Sequence, residues 1–172
     1  CDASGASSHK FSSGSHTEGR IAGKAMVAYI LDHNEAPNVD QAEVDRLTAE
    51  ILKPLDNYAE HKDLTTDPEV NPNYIRPQQF MYRMQKIMDE YAGGVSAQFQ
   101  TNDKLLEKAQ QLLTFLQEDT ANLAAEGLHE LMRAWEGVHR MFQAESHVRS
   151  VLLREETRWA GYYFRADKPN ID

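Results

Sequence analysis

The residues best suited to chemistry stand at the front of the chain, in His9-Lys10-Phe11-Ser12-Ser13-Gly14-Ser15-His16. This polar stretch runs into a segment that reads as a helix over 16–33, apolar from Ile21. A helix start leaves backbone N–H groups unpaired at the positive end of the dipole, which makes an anion site. Ser12, Ser13 and Ser15 add hydroxyls, and Gly14 lets a ligand come close to the backbone. The chemistry this supports is contact with an anion or cofactor at a helix N-terminus. A serine-capped helix behind a flexible polar arm fits the same residues.

Two further clusters could bind a ligand. Glu126-Gly-Leu-His129 and Glu136-Gly-Val-His139 are both Glu-x-x-His, the ligand unit of di-iron helical bundles. Both lie on one long helix, ten residues apart, so the histidines stand about 80° apart in azimuth and about 15 Å along the axis. A di-metal centre takes one unit from each of two facing helices, so salt-bridged or capping histidines fit better. The second cluster is Arg154, Arg158 and Arg165 with Trp159, Tyr162, Tyr163 and Phe164. Arginine with aromatics suits an adenine-and-phosphate contact or a packing surface between domains or subunits, and the packing surface is the better fit. No nucleophile, base and orienting group fall into a recognisable set.

The elements that position these residues are helical. After the first helix and an Asn34–Asn38 linker, Asp40 to His61 carries Val44, Leu47, Ile51, Leu55 and Tyr58 at three- and four-residue spacing, with Pro54 expected to kink or break it. Residues 63–77 hold Pro68, Pro72 and Pro77 and read as an extended connection. A third helix starts at Pro77 and stops at Gly93-Gly94. Thr101 or Asn102 caps a fourth. A fifth spans about 124–156, with Glu136/Arg140 and Glu145/Arg149 as supporting pairs at i,i+4. No stretch alternates as a strand beyond the first few residues. The first helix is apolar nearly all round, which marks burial between layers.

Bulk properties narrow the function. The chain has 172 residues and a formal net charge of −9, which argues against a nucleic-acid partner held by phosphate contacts. No apolar run reaches the roughly 18 residues of a membrane span. The single cysteine, Cys1, leaves no internal disulfide and no iron–sulfur cluster held by this chain's own thiolates. A reducing, cytoplasmic setting fits. The chain opens on Cys rather than Met, so the expectation is a piece from the interior of a longer protein.

A resemblance sharpens this reading. Asp2-Ala3-Ser4-Gly5-Ala6 followed by His9 to Arg20 resembles the closing segment of the flavin domain in the fumarate reductase and succinate dehydrogenase flavoprotein superfamily. Within it, the chain is similar to the alpha-subunit family of dissimilatory adenylylsulfate reductases. The likeness continues through Asn71-Pro72-Asn73-Tyr74-Ile75-Arg76-Pro77, Gln85 to Tyr91, Leu128 to Glu136, and Arg154 to Tyr163, and so covers nearly the whole chain in order.

The resemblance implies a mainly α fold: the closing loop and helix of an FAD-binding α/β domain (1–36), a C-terminal helical bundle domain (37–156), and an extended tail (157–172) packing on a neighbouring domain or subunit. It implies a non-covalent FAD, with Asp2 on the ribityl chain and Ser12, Ser13, Gly14 and Ser15 at the pyrimidine edge of the ring. Lys10 matches the place of a substrate-binding arginine in fumarate reductases, and His9 beside it is a second substrate-proximal candidate. No catalytic residue is otherwise assigned in this chain, and no metal. The implied reaction is the reversible two-electron reduction of adenosine 5′-phosphosulfate to sulfite and AMP, with electrons from a beta subunit that carries the iron–sulfur clusters. No Gly-x-Gly-x-x-Gly follows a strand here, so this chain alone should not retain FAD. The alternative from another class is a non-enzymatic helical interaction module with a flexible N-terminal arm.

Overall fold

The computed structural model describes residues 14–33, 35–36, 38–64, 67, 71–158 and 164–170. Five helices dominate: α1 (Ser15–Asp32), α2 (Gln41–His61), α3 (Pro77–Tyr91), α4 (Asp103–Asp119) and α5 (Leu128–Leu153). The mainly α reading of the sequence therefore stands. Contacts divide the chain into two compact units, Cys1–Val44 and Asp45–Asp172.

In the first unit, α1 begins where the polar stretch ends and buries none of its side chains. His33 closes it, with its backbone N–H on the Tyr29 carbonyl. The helix α2 starts in this unit, with Asp40 accepting the Ala42 N–H at 3.0 Å, and runs on into the second.

The second unit is a bundle of α3, α4 and α5. Its apolar core comes from one face of each helix, with Phe80 and Met84 from α3, Leu106, Ala109 and Leu113 from α4, and Val138, Met141 and Val148 from α5. Pro77 opens α3, where its missing N–H costs nothing. Gly93, at φ +83°, turns the chain out of it. Asn102 caps α4 by accepting the Leu105 N–H at 2.9 Å. The last half of α2 lies on this bundle: the Asn57 amide donates to the Ala121 and Leu123 carbonyls, and the Trp135 indole donates to the Ile51 carbonyl at 2.9 Å.

Three expectations change. Pro54 sits inside an unbroken α2; it is buried, and its carbonyl accepts the Ala125 N–H at 2.8 Å. The fifth helix starts at Leu128 rather than near Ala124; Ala124 and Ala125 instead tie the chain before it to Ile75 and to α2, their N–H groups donating to the Ile75 and Pro54 carbonyls. A strand pair also exists beyond the first residues: β1 (Gln100–Thr101) lies parallel to β2 (Phe164–Arg165), with Gln100 opposite Phe164 and Thr101 opposite Arg165. Two-residue strands carry no alternation to read.

Candidate functional site

The loop expected to meet a cofactor falls mostly outside the described residues: Asp2, His9, Lys10, Ser12 and Ser13 lie there. Gly14 and Ser15 are described. Gly14 has φ −63° and ψ −50°, a helical conformation, and Ser15 is the first residue of α1. A Cβ added at Gly14 would meet nothing within 4 Å. Gly14 is thus already helical, and the residues before it, Ser12 and Ser13 among them, lie outside the described residues.

Of the other clusters, the C-terminal one proves structural in part. Arg165 is 1% exposed. Its guanidinium pairs with Asp103 in the first turn of α4 and with Asp167 at 3.1 Å. It also donates to the carbonyls of Val151, at 2.5 Å, and Arg154, at 3.2 Å, at the end of α5. Those carbonyls are among the ones a helix end leaves unpaired. The Thr157 hydroxyl accepts the Arg165 N–H at 3.0 Å and donates to the Lys168 carbonyl at 2.7 Å. Arg154 and Arg158 both pair with Glu156. Arg165 is committed on every side and has no donor to spare for an adenine nucleotide; Trp159, Tyr162 and Tyr163 lie outside the described residues.

The Glu-x-x-His units hold no metal geometry. Among the described residues no group of three or more His, Cys, Asp or Glu could hold a metal ion. Glu126 faces Arg76 at 3.5 Å, and Glu136 faces Arg133 at 3.0 Å and Arg140 at 3.9 Å. His139 stands with its ring 6.3 Å from that of Trp135. The pair Glu145 and Arg149 forms at 2.6 Å, as the spacing predicts.

One cluster was not singled out for chemistry in the sequence. Arg76 precedes α3, with its side chain 10% exposed. It pairs with Glu130 at 2.5 Å and lies 5.3 Å from the centre of the Tyr58 ring. Burial, with Glu126 nearby, raises the Tyr58 hydroxyl above its usual pKa. Glu130 also accepts the Glu126 N–H at 2.8 Å, and the Gln79 side chain accepts the Arg76 N–H at 3.0 Å. The arrangement is a closed charge network joining α2, α3 and α5, with no nucleophile in it. The signal in the sequence was an arginine, Arg76, directly before the helix-opening Pro77.

Two open grooves flank α5. One, of about 320 Å³, is lined by Lys53, Asn57, Gln117, Trp135 and Phe142 among others. The other, of about 350 Å³, lies between α3 and α5, and its Arg133, Glu136 and Arg140 are paired with one another. Neither brings together a base and a nucleophile. Among the described residues, no helix is long and apolar enough to cross a membrane.

Comparison with known proteins gives these groups a context. No family model matches the chain. The chain is 45% identical over 171 residues, 99% of its length, to the adenylylsulfate reductase subunit alpha of Megalodesulfovibrio gigas, and spans 26% of that protein. Among solved structures it matches adenylylsulfate reductase from the hyperthermophilic Archaeoglobus fulgidus with a TM-score of 0.88 and 54% identity, over 95% of this chain and 26% of that one. A structure of adenosine-5-phosphosulfate reductase in complex with sulfite, as a covalent adduct, matches equally. The Mycobacterium smegmatis Sdh1 complex in the apo form matches at a TM-score of 0.61 and 21% identity, over 80% of this chain and 20% of that one, a likeness of fold alone. The chain thus spans about a quarter of the length of the reductase subunits it matches.

Proposed function

We infer a role from one premise: this chain belongs to the adenylylsulfate reductase alpha-subunit family. It serves as the flavin-domain closing segment (1–36) and the helical domain (37–156), with its tail (157–172), of an FAD-containing oxidoreductase subunit. The complete enzyme reduces adenosine 5′-phosphosulfate reversibly to sulfite and AMP, in the cytoplasm, with electrons from an iron–sulfur beta subunit. The observation that carries this reading is identity running across almost the whole chain.

The residues present fit a flavin at one place. At the start of α1, Gly14 carries no side chain to bar a flavin edge from the backbone. When bound, the flavin supplies the two-electron redox chemistry. The chain's own part is to hold and orient. The N–H groups of Ser12 to Ser15, at the positive end of α1, stabilise negative charge at the ring's pyrimidine edge. Asp2 holds the ribityl chain. Lys10, with His9 beside it, offsets the charge of the sulfate-bearing substrate. The lone cysteine of the chain agrees with iron–sulfur ligands on the partner.

The test is to express the complete alpha subunit containing this span with its iron–sulfur partner, then measure flavin absorbance and AMP release from adenosine 5′-phosphosulfate. The expected result is a flavin-loaded complex with turnover. The variant Lys10→Ala should retain flavin and lose about tenfold or more in kcat/KM, the effect of about 1.4 kcal/mol at the transition state. A well-folded complex without flavin and without turnover would overturn the reading.

A further inference from the structure

The back half of α2 rests on the bundle along one edge and leaves a groove beside it. Hydrogen bonds hold that edge: the Trp135 indole on the Ile51 carbonyl, the Ala125 N–H on the Pro54 carbonyl, and the Asn57 amide on the Ala121 and Leu123 carbonyls. The groove of about 320 Å³ opens alongside them, between α2, the end of α4 and α5. Buried Ala134, Val138 and Met141 line it, together with Trp135 and the half-exposed Phe142.

Most polar groups around the groove are already committed. The indole N–H and the Asn57 amide N–H groups are spent on carbonyls. The Thr120 hydroxyl donates to the Gln117 carbonyl at 2.7 Å, and Glu50 pairs with Arg46 at 3.1 Å. Two groups remain, one on α2 and one in the last turn of α4. Among the described residues, neither the Lys53 ammonium nor the Gln117 side-chain amide has a hydrogen bond or ion pair.

An apolar lining with a few convergent polar groups is the usual form of a small-ligand site, and this volume lies at the low end of the usual range. The lining takes an apolar body. The ammonium takes a negative head, and the Gln117 amide can donate to the same head. One cation matches one charge; a second charge on the ligand would lie unpaired against the apolar lining. At roughly 30 Å³ for each small group, the groove admits about ten non-hydrogen atoms.

We propose that this groove binds a short amphipathic monocarboxylate. The carboxylate sits on Lys53 and Gln117, and the apolar body lies against Trp135, Val138 and Phe142. Release of poorly bonded water from the lining drives binding, and the ion pair sets the orientation. The site uses none of the residues assigned to the flavin, so it stands or falls apart from the redox reading.

The experiment is a titration of the complete alpha subunit, joined to its iron–sulfur partner, with octanoate, followed by saturation-transfer NMR. Saturable binding is expected. Lys53→Glu should weaken it about tenfold or more. Ala121→Trp, which fills the groove from its exposed rim, should abolish it, and both variants should melt as the parent does. No binding, or equal binding by the parent and either variant, overturns the proposal. A photoreactive diazirine analogue of octanoate reads out the location. Its adducts are expected around Lys53, Trp135 and Phe142, and excess octanoate should remove them. Adducts confined to the apolar helix α1, or spread over the whole surface, overturn the proposal as well.

Discussion

Arg165 and Asp103, 62 residues apart in sequence, form an ion pair that ties β2 to the first turn of α4. The arginine is buried, whereas the Asp103 side chain is 48% exposed, and that asymmetry sets what each substitution does. Arg165→Met strips the donor from the Val151 carbonyl, leaves Arg154's with only the Glu156 N–H, and should cost about 2–3 kcal/mol. Asp103→Asn leaves Arg165 its Asp167 partner and should cost about 1 kcal/mol or less. Urea midpoints of the two variants check this, and equal losses would refute the asymmetry.

Acid should loosen the same contact. The hydrogen bond from Arg165 holds the Asp167 carboxyl down at about 2. Its folded value lies below its unfolded one, so the stabilisation is complete above about pH 4 and is lost as pH falls toward 2. Asp167 is exposed, so solvent screening leaves the effect at about 1 kcal/mol or less. Stability measured between pH 5 and 2 should fall less steeply in Asp167→Asn than in the parent; identical slopes would rule Asp167 out as the group responsible.

The Arg76 network should rank its acids by burial. Glu130, with its side chain 31% exposed, both pairs with Arg76 and accepts the Glu126 N–H, whereas Glu126 is 64% exposed. Glu130→Gln should therefore cost about 1–2 kcal/mol and Glu126→Gln a few tenths, roughly. Arg76→Lys keeps the charge but loses the planar guanidinium over Tyr58, and should cost about 1 kcal/mol. Thermal melts of the three variants read out the order.

Gly94 is fixed by crowding rather than by backbone angle. A Cβ there would run into the Cα of Asp89 and stand 2.9 Å from its carbonyl oxygen. Asp89 is itself held by the Ser96 hydroxyl and N–H, which also lower its pKa. Main chain cannot give way as a flexible side chain can, so Gly94→Ala should cost about 2–3 kcal/mol. Gly127→Ala, where a Cβ meets nothing within 4 Å, should cost only about 1 kcal/mol or less, for the loss of a favoured N-cap residue of α5, and serves as the comparison.

The helices were legible in the sequence because their apolar positions repeat, and caps such as Asn102 and stops such as Gly93 mark their ends. Where the reading went astray, a distant partner decided the outcome. Pro54 stays helical because the bundle buries it and Ala125 takes its carbonyl. Before α5, which starts at Leu128, Leu123 and Ala124 pair with Ile75, on a different part of the chain. The Arg165 cluster read better as a packing surface than as a nucleotide contact, but that Arg165 itself is buried could not be read from residue type. The flavin-loop residues were legible only through resemblance, since a serine-rich stretch before a helix has a plainer reading as a cap.

The bond from the Trp135 indole to the Ile51 carbonyl makes the chain its own optical gauge. With the second tryptophan removed as Trp159→Phe, emission from Trp135 follows one event, the parting of α2 from α5. A red shift that precedes the loss of helical circular dichroism would show α2 peeling away first. Coincident traces would show that helix and bundle melt as one cooperative unit.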